Sequence, residues 1–259
     1  MALPHVEMLR GRMRRLASRS TVAGTLPVLF FGDLPCASIA TIGLNPSHRE
    51  YADARGQLLS GSKQRFATLP SLGADSRASL SDAQCDVALE LMRRYHEPTR
   101  PVYGWFRGLN RVVAGLGGSF VDGSAVHLDL VQEATNPTWS NLPVHEREEL
   151  LAADLEFLEW QLRTFGVRTV ICTSKMVGTT LRPRFDVEVL AEGILERIRW
   201  WVGRGEANGH SLWFAGWNIP LARPTGLGGD GETALGRLLK DQLSSKSRGR
   251  TSSTRAKQS

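Results

Sequence analysis

Apolar residues along this chain fall into two kinds of block: short continuous runs, and longer stretches that recur every three or four positions. The runs Val28–Phe31 and Ser38–Ile42 predict two short strands divided by Gly32-Asp33-Leu34-Pro35. Ala125–Leu130, Val167–Cys172 and Ser211–Ala215 predict three more, and four of the five space out as core strands. Helical periodicity marks Asp82–Tyr95, Trp105–Leu116 and the long stretch from Val144, where Leu150, Leu151, Leu155, Leu158 and Leu162 share a side before Gly166 stops it. Arg184–Arg204 and Thr233–Leu243 also read as helical. Residues 48–100 are otherwise polar and irregular, with Gly56, Gly61, Pro70 and Gly73 as breaks, and predict a large insertion. Strands alternating with helices predict an α/β domain over 21–243: a three-layer α/β/α sandwich around a mainly parallel, four-stranded sheet. No internal repeat is visible.

The pentapeptide Gly43-Leu44-Asn45-Pro46-Ser47 follows the Ser38–Ile42 run directly. Open α/β sheets build their sites at the carboxyl ends of strands. Gly43 permits close backbone approach, Pro46 stiffens the turn, and Asn45 either faces the space above the sheet or caps its own loop. This segment resembles the first active-site motif of the uracil-DNA glycosylase superfamily, and most nearly its mismatch-specific branch. There a Gly-apolar-Asn-Pro-small segment follows the first strand and its Asn orients the hydrolytic water. The resemblance implies a DNA N-glycosylase that works without metal or cofactor.

Two further positions are similar to that family's pattern. Asp129, in His127-Leu128-Asp129-Leu130, stands near where the uracil enzymes commonly carry an Asn that reads the flipped base. An ionised carboxylate only accepts hydrogen bonds, so it disfavours uracil O4 and suits the amine of cytosine or a modified cytosine. A protonated one would also donate to N3. The alternatives are a turn cap or an Arg partner for Asp129, and Asn136 as the aligned residue. His127 shares a strand face with Asp129 and either orients it or is a satisfied buried histidine. Asn218, ahead of Ile219-Pro220-Leu221, resembles the residue that donates to the base O2 in the second motif; Leu221, Arg223 and Pro224 then form the wedge into the duplex. Flipped bases are held against aromatic faces. Tyr51 is the favoured stacker, ahead of Phe66, Trp105 and Phe106, whereas Trp217 reads as packing. The resemblance thus names Asn45, Asp129 and Asn218 as catalytic, with Gly43, Leu44, Pro46, Ser47, Tyr51, His127, Leu221 and Arg223 around the substrate. Arg65 and Lys63 are either phosphate contacts or solvated surface.

Composition adjusts this picture in three ways. The net charge of +6 lies at the ends: residues 244–259 contribute +5, residues 1–20 contribute +4, and the body is therefore −3. Basic ends around such a body fit tethering to DNA, or simple solubilisation. The expected organisation is a basic segment 1–20, the α/β domain 21–243 and a disordered basic tail 244–259. Cys36, Cys85 and Cys172 form no C-x-x-C pair, which points to a reducing compartment and argues against structural zinc and the iron–sulfur branches of the superfamily. Cys36 and Cys172 sit in apolar runs and are expected in the core. No stretch approaches a membrane span, and residues 1–20, though rich in Arg, lack a signal-peptide core, which leaves an organellar presequence as the other reading. A cytoplasmic monomer with DNA as its partner, and no obligate protein partner, is the expectation; excision of modified viral bases is a possible setting.

Overall fold

The computed structural model describes residues 5–207, 209–221 and 227–255, the last nine of these by backbone alone. The elements run α1 (Val6–Met13), β1 (Ile39–Gly43), α2 (Leu69–Leu72), α3 (Asp82–Arg93), α4 (Phe106–Leu116), β2 (Ala125–Asp129), α5 (Val144–Thr164), β3 (Thr169–Cys172), α6 (Lys175–Arg184), β4 (Glu188–Leu195), β5 (Ile198–Ala207), β6 (His210–Trp217) and α7 (Gly228–Arg255). The chain is an α/β protein whose sheet has six strands, in the order β2-β1-β3-β6-β5-β4. The expected parallel pairing holds for β1 with β3 and for β3 with β6. The strand count of four is corrected to six by β4 and β5, which run antiparallel as a hairpin on β6.

That hairpin replaces the helix expected over Arg184–Arg204. Leu190, Ile194, Ile198 and Val202 recur every four residues, a spacing that satisfies a helical period and a strand period alike. The alternation of buried Ile198, Trp200 and Val202 with more exposed Arg199 and Trp201 is that of a strand. The two-residue turn Glu196-Arg197 carries no glycine, although Glu196 takes a left-handed φ of 53°. Val28–Phe31 is also corrected: it is buried but forms no strand, and only Phe31 bridges, to His127. At the other end, α7 continues through Arg255, past the expected boundary at Leu243.

Two compact units divide the chain. The first comprises residues 1–37, 43–103 and 126–166. Its interior gathers Leu9 and Met13 of α1, Leu89 and Met92 of α3, and Leu158 and Leu162 of α5 around an aromatic cluster of Phe31, Tyr51, Phe66, Tyr95 and His127. α3 starts at a capping box between Ser81 and Gln84, which satisfies two orphan donors at that end. The expected basic segment contains α1, and four of its five arginines are engaged. Arg10 pairs with Glu7, Asp82 and Asp86, Arg14 with Asp82, Arg12 with Asp154, and Arg15 donates to the Ala153 carbonyl. These contacts tie α1 and the residues after it to α3 and α5.

The second unit comprises residues 38–42, 104–125 and 167–259. Val170, Ile171, Val202, Phe214 and Ala215 form the sheet interior, with Val177 and Leu181 of α6 also buried. α4 and α7 cross closely because Gly115 and Gly236 meet there; a Cβ on Gly236 would lie 2.9 Å from the Gly115 Cα and closer still to the Val112 carbonyl. Trp217 is fully buried, as its packing role predicts, and so is Cys172. Cys36, in the first unit, is exposed, against expectation, because the turn after Gly32 carries it to the surface. Among the described residues no helix is long and apolar enough to cross a membrane.

Candidate active site

β1 ends at Gly43, and the turn Leu44–Ser47 leaves the strand to enter a short 3-10 turn at His48–Glu50. Ser47 starts that turn by accepting from the Arg49 N–H at 3.2 Å. Past Gly43 the backbone keeps pairing with the segment after β2: the Gly43 carbonyl accepts from Leu130 N–H and the Leu44 carbonyl from Val131 N–H. Gly43 lies against the β2 side chains. A Cβ there would overlap Asp129 Oδ1 and come within 2.9 Å of the His127 ring, so only glycine fits.

Asn45 is half-buried, and its Nδ2 lies 3.2 Å from each of three acceptors: the Pro46 carbonyl, the Glu133 carbonyl and Thr135 Oγ1. With the amide nitrogen spent on the protein, the carbonyl oxygen Oδ1 is the group left for a ligand. Leu44, Asn45, Pro46, Ser47 and His48 line a cleft of about 300 Å³, closed on its other side by Thr135, Thr138, Trp139 and Ser140. Burial, reinforced by the nearby charge of Arg49, lowers the His48 pKa and favours its neutral imidazole. Sequence reasoning missed His48, Thr138, Trp139 and Ser140. The one signal was the run Asn136-Pro137-Thr138-Trp139, noted for Asn136 instead. Asn136 itself is exposed, follows Ser20 by a backbone hydrogen bond, precedes a cis Pro137 and does not line the cleft.

Asp129 and His127 stand together as alternation predicts, with Nε2 3.4 Å from Oδ1, but both are buried and neither lines this cleft. Within electrostatic reach of Asp129 is a carboxyl that sequence reasoning did not single out. Glu50 is buried and accepts from Tyr95 Oη at 2.8 Å, while that oxygen accepts from Tyr103 N–H. Burial pushes the Glu50 carboxyl up to about 8, with the Asp129 charge adding to the rise and Tyr95 and Arg65 opposing it. Glu50 therefore holds its proton at neutral pH. Burial, with a contribution from His127, drives His96 down to about 3 and keeps it neutral.

Several expected substrate contacts are corrected. Tyr51 is only 1% exposed, packs against Phe66 with the rings tilted by 40° and donates to the Leu26 carbonyl at 2.6 Å, so it has no face for a base. Phe66 and Phe106 are equally buried, leaving Trp105 as the half-exposed ring of the four. Arg65 turns inward, 3.8 Å from Glu50 and donating to the Arg49 carbonyl.

In the second unit, Asn218 directly follows β6. Its backbone N–H donates to the Arg199 carbonyl, and its Oδ1 accepts from the Arg199 N–H at 2.9 Å. This fixes the amide with Nδ2 left to donate. Leu221 is half-buried in the following turn; Arg223 and Pro224 lie outside the described residues. Among the described residues no group of three or more His, Cys, Asp or Glu side chains is arranged to hold a metal ion. No protein-family model matches this chain, and no curated protein matches it.

Proposed function

We propose that this protein is a DNA glycosylase that hydrolyses the N-glycosidic bond of a pyrimidine flipped out of DNA. The observation that carries the proposal is Asn45: a strand-end amide that lines the cleft and whose nitrogen lies 3.2 Å from each of three protein acceptors, leaving Oδ1 to accept from a ligand. A fixed acceptor of this kind orients a water by taking one of its hydrogens, leaving an oxygen lone pair for the sugar C1′. The resemblance assigns Asn218, whose Oδ1 accepts from the Arg199 N–H, the role of donating to the base O2 as negative charge gathers there. The C1′–N1 bond breaks with its electron pair on the base, water adds to C1′ and gives up a proton that ends on the departing base anion, and an abasic site remains. Base extrusion costs a few kcal/mol. The chemistry uses this chain's own amides. The fold in this proposal is the three-layer sandwich of the uracil-DNA glycosylase superfamily, acting as a cytoplasmic monomer on DNA.

For the base itself, an acid at position 129 supports cytosine or a modified cytosine. One observation favours a second reading, a uracil or mismatched-thymine enzyme: Asp129 is 3% exposed and already beside His127. Purified protein incubated with DNA carrying uracil, mismatched thymine, cytosine or 5-substituted cytosines, followed by alkaline cleavage and mass spectrometry of the freed base, tests both. Release of a cytosine, shifting toward uracil in Asp129→Asn, supports the first. Release of uracil alone, unchanged in that variant, supports the second, and binding without any release contradicts both.

A further inference from the structure

We propose that a buried ion network, Arg12–Asp154 and Arg77–Glu133, is the positioning device that sets which end of the Asn45 amide faces the cleft. The segment Leu130–Thr135 is buried throughout and irregular, so its polar groups need specific partners. Its backbone is tied at both sides: Val28 N–H donates to the Gln132 carbonyl and Val22 N–H to the Ala134 carbonyl. Two of its oxygens, the Glu133 carbonyl and Thr135 Oγ1, are the acceptors that hold the Asn45 nitrogen.

Side-chain ions hold that same segment. Arg77 grips the Glu133 carboxylate with both terminal nitrogens at 2.8 Å and donates through Nε to the Thr25 carbonyl. Arg12 bonds Asp154 at 2.5 Å and Gln132 Oε1 at 3.1 Å, and lies 3.5 Å from Glu133. Asp154 in turn accepts from the Gln132 N–H at 2.7 Å. All four side chains are buried, so removing one would leave its partner without a counter-charge in the interior. Arg12 brings α1 into the network, and Asp154 brings α5.

An amide rotated by half a turn offers hydrogens where an acceptor is wanted, and water can no longer be oriented for attack. Neither Glu133 nor Arg77 lines the cleft; their side chains act through the backbone that carries Asn45's partners. This inference rests on the glycosylase proposal only for its catalytic consequence, so the experiment has an arm that needs no activity. Protein labelled with ¹⁵N in asparagine gives the Asn45 side-chain NH₂ pair, identified by its loss in Asn45→Ala. In the native chain the pair should be displaced from free-amide positions and protected from exchange. Thr135→Val, which deletes one direct acceptor, calibrates the response. Glu133→Gln keeps the shape but breaks the ionic grip, and should move the pair toward free-amide positions and shorten its protection at least as much as Thr135→Val does. Arg77→Lys, which keeps the charge and loses the fork, should give an intermediate shift and serves if Glu133→Gln fails to fold. If the native chain releases a base, Glu133→Gln should also lower kcat by up to about 100-fold with KM unchanged. An Asn45 pair that moves in Thr135→Val but stays native in folded Glu133→Gln and Arg77→Lys would overturn the inference. Absent base release with a shifted pair would contradict the glycosylase proposal alone.

Discussion

The two units of this chain solve the same problem in opposite ways. In the second, regular ladders and helices satisfy the backbone, and the interior is almost wholly apolar; among its described residues only Thr41, Thr173 and Glu232 are buried polar side chains. The first encloses long irregular segments and imports polar side chains to satisfy them: Arg12, Glu50, Arg77, His96, His127, Asp129, Gln132, Glu133, Asp154 and Gln161 are all buried there. Its 15 basic residues face 17 acidic ones, whereas the second unit has 17 against 9. The chain's positive charge therefore belongs to the second unit, while in the first Arg12, Arg65, Arg77 and Arg100 bond irregular segments. A loop such as Leu44–Ser47 is fixed in place only where such side chains are available, and that is where Asn45 sits.

Breaking a buried pair in the first unit should have the largest effect on stability. Arg77→Met strands the Glu133 carboxylate, and we expect a loss of about 3–5 kcal/mol in chemical denaturation. A loss below about 1 kcal/mol, the level of a surface pair, would remove the contrast between the units.

Gly43→Ala comes next. The added methyl meets Asp129 and His127, both buried, and should cost about 1–3 kcal/mol by overpacking. An unchanged midpoint would mean that the β2 side chains move aside freely.

The pH profile sharpens the comparison further. The folded chain keeps the Glu50 proton up to about 8, while the unfolded chain loses it near 4.5, so stability from this group falls as pH rises through that window. His96, held down to about 3 against an ordinary 6.5, acts oppositely between those values. The two offset each other from about 4.5 to 6.5, and above 6.5 Glu50 acts alone. Stability should drop by up to ~1.4 kcal/mol per pH unit from 6.5 to 8, and Glu50→Gln should flatten that decline. The smallest effect is expected in the second unit. Arg111 pairs with Glu232 at 2.6 Å but is half exposed, so Arg111→Ala should cost about 1 kcal/mol or less by the same assay.

The second unit's strands, apart from its hairpin, were legible as apolar runs because each is short, continuous and bounded by breakers. α3, α4 and α5 were legible by their periods. The β4–β5 hairpin was not, since Leu190, Ile194, Ile198 and Val202 fit two periods and its turn lacks the usual glycine or asparagine. α1 escaped notice because its buried residues, Leu9, Arg12 and Met13, include an arginine. In the site, Asn45 could be read from a strand followed by Gly-Leu-Asn-Pro. Its three-way grip could not, because two of the acceptors lie some ninety residues away in an irregular segment. Tyr51 failed as a stacker for a related reason: nearness in sequence to Asn45 says nothing of which way the 3-10 turn points its ring.

The most direct test of the central claim is base release by the native chain and by Asn45→Ala, under single turnover, on whichever DNA substrate the native chain cleaves. We expect abasic product from the native protein and a fall of about 100-fold or more in Asn45→Ala, with folding and DNA binding retained. Equal release by both proteins would contradict the assignment of Asn45 as the water-orienting group.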